Sequence, residues 1–108
     1  MKVVINKCFG GFSISREAAV LMSSIGSEQA KAELDQSVDF WYGYGYVKGF
    51  DNGYSRVDEH LIYAVETLGV KANGCSARLV VLEIPDGIKW SIDDYDGMES
   101  IEEEHRSW

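Results

Sequence analysis

The sequence predicts an α+β fold: a small mixed or antiparallel sheet, two or three helices packed on one face of it, and a C-terminal β-hairpin. Three observations carry this expectation. Two strongly apolar runs, Val3-Val4-Ile5 and Leu79-Val80-Val81-Leu82-Glu83-Ile84, stand far apart in the chain. Segments with apolar residues at helical spacing lie between them. After the second run, Asp96-Gly97 divides two alternating stretches. A chain of 108 residues has room for one core, so 1–108 reads as a single domain.

The first strand is apolar on consecutive residues, which calls for cover on both faces, as in a central strand. Cys8-Phe9-Gly10-Gly11-Phe12 breaks it, with glycines that can take positive φ. Ser13 or Ser15 can cap a helix whose apolar positions are Ala18, Leu21, Met22 and Ile25. Gly26 sits where a left-handed terminating glycine belongs, and a shorter helical piece from Ser27 to Leu34 follows. Residues 38–47 alternate with period two and place Phe40, Tyr42, Tyr44 and Tyr46 on one face of an edge strand or an ordered loop. Asp51-Asn52-Gly53 signals a turn.

Asp58 is a good N-cap for a helix whose stripe is Leu61, Ile62, Val65 and Leu68, ended by Gly69 or Gly74. The second strand is closed by Pro85-Asp86-Gly87. In the hairpin, a two-residue type I′ turn at Asp96-Gly97 fixes the register. Ile92 then faces Ile101, Trp90 faces Glu103, and Lys89 faces Glu104. A slip of one residue would turn every side chain to the wrong face.

Charge is distributed unevenly. Residues 83–108 hold nine carboxylates against Lys89 and Arg106, a net of −7 out of the chain's −8. A fold does not need this asymmetry. It repels nucleic acid, so no direct nucleic-acid binding is expected, and it attracts cationic surfaces. No run approaches the roughly 18 apolar residues of a membrane span, and the apolar N-terminal stretch is too short for a secretory signal. A cytosolic protein without membrane contact is expected. Cys8 and Cys75 read as two reduced thiols. Neither has a second Cys or His at ligand spacing, so no metal or cofactor is expected.

The chain resembles a family of small uncharacterised bacteriophage and prophage proteins. The resemblance is carried by Met1-Lys2-Val3-Val4-Ile5-Asn6-Lys7-Cys8-Phe9-Gly10-Gly11-Phe12, Val65-Glu66-Thr67-Leu68-Gly69 and Ala72-Asn73-Gly74. It continues in Glu83-Ile84-Pro85-Asp86-Gly87, Trp90, Ile92, Tyr95-Asp96-Gly97, Glu99 and Glu104-His105-Arg106-Ser107-Trp108. About two thirds of the chain is covered, and residues 36–57 are not. The resemblance implies a phage or prophage origin and action in the bacterial cytoplasm. It brings no catalytic residues with it. By analogy with other small acidic phage proteins, inhibition of a host or defence protein is one expectation, and a structural or accessory role another.

The leading functional reading is a non-enzymatic binding protein. Asp93, Asp94, Glu99, Glu102 and Glu103 on the hairpin would steer it to a host or phage protein with a basic surface, and Tyr95 and Trp108 would supply contact area. The competing reading of those acids is a solvated hairpin that guards a sheet edge. A second functional reading is a small-ligand site. Gly10 and Gly11, between a strand and a helix, would offer N–H groups to an anion near Arg16, and Tyr42, Tyr44 and Tyr46 would stack a nucleotide. The lysine and hydroxyl of a P-loop are absent, so a structural turn competes with it. A thiol paired with His60 or His105 is a third, weaker idea, because nothing marks either cysteine as activated.

Overall fold

The computed structural model describes residues 1–9, 11–36, 53–74, 77–87, 89–95, 97–103 and 106–107. Along the chain stand β1 (Lys2–Asn6), α1 (Arg16–Ser24), α2 (Glu28–Gln36) and α3 (Glu59–Leu68). A 3-10 turn (Gly69–Ala72), β2 (Leu79–Glu83), β3 (Trp90–Tyr95), β4 (Met98–Glu103) and a two-residue β5 (Arg106–Ser107) follow. β1 pairs antiparallel with β2, from Lys2 opposite Glu83 to Asn6 opposite Leu79. β3 and β4 form the C-terminal hairpin, and β5 lies antiparallel on β4. The fold is α+β, as expected. The aromatic stretch 38–47 and Glu104, the expected partner of Lys89, lie outside the described residues.

β1 explains why three consecutive apolar residues are needed at one place. Val4, with Leu79 and Val81 of β2, packs on the helices, in a cluster with Ala18, Ala19, Met22, Ala30, Leu61 and Val65. Val3 and Ile5, with Val80 and Leu82, face the hairpin and meet Ile84, Trp90, Ile92 and Ile101. The two-strand sheet is therefore a middle layer between helices and hairpin, and Val3, Val4 and Ile5 are all fully buried. Each such side chain contributes about 1.5–3 kcal/mol through burial. Among the described residues β1 has a strand on one side only. On its other edge the Val4 N–H donates to the Arg56 carbonyl at 2.8 Å, and the Asn6 N–H donates to the Glu99 carboxylate at 2.8 Å.

The helix boundaries follow from local chemistry. Ser15 is the α1 cap: its hydroxyl oxygen accepts from the Ala18 N–H at 3.1 Å. At the far end Gly26 takes φ +110°. Its N–H donates to the Ser23 carbonyl, while the Ser27 N–H reaches back to Met22 at 2.9 Å. That is a Schellman ending. Ser27 then accepts from the Ala30 N–H at 3.2 Å and so also caps α2. Asp58 caps α3 through the His60 N–H at 2.9 Å, and Gly69 ends it at φ +58°. Ile25 departs from the expected stripe. It sits at the α1 C-cap and is exposed, while Ala19 takes a place in the core.

Candidate functional site

The hairpin register is the one expected from Asp96-Gly97: Trp90 opposite Glu103, Ile92 opposite Ile101, Asp94 opposite Glu99 and Tyr95 opposite Met98. Asp96 itself lies outside the described residues; Gly97 has φ +90°. Side chains alternate along a strand, and residues directly opposite share a face. Ile92 and Ile101 therefore set one face inward, against Val3, Ile5 and Leu82. The other face carries Ser91, Asp93 and Tyr95 from β3, with Met98, Ser100 and Glu102 from β4. Within β3 and β4 this face carries no Lys, Arg or His; the exposed Lys89, just before β3, continues its alternation.

Asp93, Asp94 and Glu102 are exposed, and Tyr95 is 72% exposed. Asp93 and Glu102 are diagonal neighbours across the two strands, a separation of about 7–8 Å. Asp94 has a structural task as well: its carboxylate accepts from the Gly97 N–H at 2.7 Å and closes the tip. Glu103 stands opposite Trp90 in β4, and Trp108 lies outside the described residues.

Glu99 corrects the expectation. It is 4% exposed and belongs to the interior, not to the acidic surface. The register gives the physical reason. Glu99 lies two residues before Ile101, hence on the inward face. Its Oε1 accepts from the Asn6 N–H and is ion-paired with the Arg56 guanidinium, which stacks 3.7 Å from the centre of the Phe12 ring. Asn6, fully buried beside it, uses all of its hydrogen-bonding capacity. Its Nδ2 donates to the carbonyls of Cys8 (2.6 Å) and Gly97 (2.7 Å), and its Oδ1 accepts from the N–H groups of Cys8 (3.3 Å) and Arg78 (2.8 Å). Glu99, Arg56 and Asn6 thus bolt the hairpin onto β1.

Of the residues of the small-ligand reading, Gly11 and Arg16 are among the described positions. Gly10, Tyr42, Tyr44 and Tyr46 lie outside them. Gly11, at φ +91°, packs on the hairpin tip, where a Cβ on Gly97 would stand 2.5 Å from its nitrogen. Arg16 opens α1 and, with Glu17, Val20, Leu21 and Ser24, lines an open groove of about 460 Å³. Gly11 is not among those lining residues. Cys8 is a free, half-buried thiol, and the His60 Nδ1 lies 3.2 Å from its cap residue Asp58. Cys75 and His105 lie outside the described residues. Among the described residues no group of carboxylates, cysteines and histidines is arranged to hold a metal ion.

Tyr54 and Glu33 are both buried, and burial, aided by the Glu33 carboxylate, pushes the Tyr54 phenol well above the usual tyrosine range. No described helix is long and apolar enough to cross a membrane. No protein-family model, curated protein or solved structure matches the chain.

Proposed function

We propose that this chain is a small acidic phage or prophage protein that acts without catalysis, by docking the outer face of its hairpin on a basic surface of a host or phage protein in the bacterial cytoplasm. The observation that supports it best is the makeup of that face: exposed Asp93 beside exposed Tyr95 on β3, with exposed Glu102 on the neighbouring strand. Such a face accelerates encounter with a cationic surface and selects against acidic ones. The rigid attachment of the hairpin through Glu99, Arg56 and Asn6 favours the same reading, because a surface fixed before binding loses little entropy on docking. Phage origin rests on the resemblance over both chain ends and the middle segments 65–69 and 72–74, and inhibition of a host or defence protein is the mode of action we assign by analogy.

The test is capture of partners by the tagged chain in a bacterial host, compared at low and high salt. One basic protein retained in stoichiometric amount at low salt and lost at high salt is the expected result. Its equal retention by an Asp93→Asn/Glu102→Gln variant would remove the hairpin face from the interaction.

A further inference from the structure

The hairpin tip carries a feature that charge does not explain. Phe9 and Tyr95 are 59% and 72% exposed, and their ring centroids lie 6.4 Å apart with the planes at 70°. This is an edge-to-face aromatic pair. Tyr95 ends β3, and Phe9 belongs to the turn after β1. Neither ring contributes to the core.

The base beneath them is fixed. Asn6 ties the turn to the tip through the carbonyls of Cys8 and Gly97, and Asp94 holds the Gly97 N–H. The two backbones approach so closely that a Cβ on Gly97 would stand 2.7 Å from the Phe9 carbonyl oxygen. Adjacent exposed aromatics on a pre-organised base have the character of interface anchors.

Their surroundings specify the occupant. Asp93 lies two residues before Tyr95 and shares its outward face. Aromatic ring faces attract cations, and the Asp93 carboxylate belongs to the next same-face position along β3, about 6.5–7 Å away by the strand rise. A guanidinium satisfies both features, because it stacks flat on a ring while donating paired hydrogen bonds to a carboxylate; an ammonium does this less well. We infer that Phe9 and Tyr95 form an aromatic anchor for an arginine side chain of the partner, with Asp93 as the carboxylate next to it. This inference rests on the docking reading above and assigns the chemistry of its central contact.

The test uses the whole chain with oligoarginine and oligolysine peptides of equal length, followed by NMR titration. The wild-type chain should bind oligoarginine roughly two- to fivefold more tightly than oligolysine, with shifts of the Phe9 and Tyr95 ring resonances. Phe9→Leu/Tyr95→Leu should bring oligoarginine down to the oligolysine affinity and leave oligolysine binding unchanged. Phe9→Leu alone should lose part of the preference. Equal affinities in the wild type, or a preference that survives the double substitution, would overturn the anchor and leave the acidic face standing. If Asp93→Asn/Glu102→Gln weakens neither peptide, the docking reading falls and the anchor falls with it.

Discussion

Arg56→Ala should be among the most damaging single substitutions outside the apolar core. The Glu99 carboxylate is 4% exposed, and its described partners are the Arg56 guanidinium and the Asn6 N–H. Removal of the arginine leaves a buried charge with one neutral donor, a situation that costs about 3–5 kcal/mol. The Arg56 side chain is itself 20% exposed, so part of its charge is already hydrated and the lower end applies, about 3 kcal/mol. Loss of the stack on Phe12 adds roughly 0.5–1 kcal/mol. Glu99→Gln is gentler. The amide oxygen still accepts the Asn6 N–H, and Arg56 can turn toward water, so about 1–2 kcal/mol is expected. The double variant should cost less than the sum of the two, by about 1–3 kcal/mol. Urea unfolding measures all three through the midpoint at unchanged slope. Against a total of about 5–15 kcal/mol the differences are large. Costs for Arg56→Ala below about 1 kcal/mol, or strict additivity, would refute a buried, coupled pair.

Two further outcomes follow from the structure. Gly97→Ala meets both a left-handed backbone at φ +90° and backbone atoms of Phe9 and Gly11 within 2.8 Å, whereas Gly87→Ala, at φ +77°, meets open space. Gly87→Ala should cost about 1–2 kcal/mol from backbone conformation alone, and Gly97→Ala clearly more; equal midpoints in urea would contradict the close approach at the tip. Tyr54 supplies a pH dependence. In the folded chain its phenol keeps its proton above the ordinary value near 10, where the unfolded chain has lost it. Its contribution to stability is therefore complete below about pH 10 and falls as pH rises further, by up to roughly 1.4 kcal/mol per pH unit. Tyr54→Phe should show a shallower decline in urea midpoint across that range, and identical declines would contradict the burial of the phenol.

Much of the fold was legible because it is set locally. The register of β3 and β4 follows from one Asp-Gly pair and the alternation around it. Ser15, Asp58, Gly26 and Gly69 end helices through bonds to residues within five positions of themselves. Even the three-layer arrangement is implied by Val3-Val4-Ile5, since a strand apolar on both faces needs cover on both. What was not legible depends on contacts distant in sequence. Arg56 and Glu99 are 43 residues apart, and Asn6 and Gly97 are 91 apart; no periodicity connects them. Glu99 is an instructive case. Counting acids put it on the surface, while the parity of its own strand, two residues from Ile101, put it inside. Phe9 was missed for a different reason. In the sequence it belongs to a glycine-rich turn, and only the docking of that turn on the hairpin tip sets its ring beside Tyr95.

The most direct test of the docking face is the salt dependence of the dissociation constant for the captured partner, measured in parallel for the wild-type chain and for Asp93→Asn/Glu102→Gln. Exposed charges are screened as salt rises. The wild-type chain should therefore bind progressively more weakly, and the variant should start weaker and respond less steeply. Two parallel curves of equal affinity would contradict a function carried by the outer face of the hairpin.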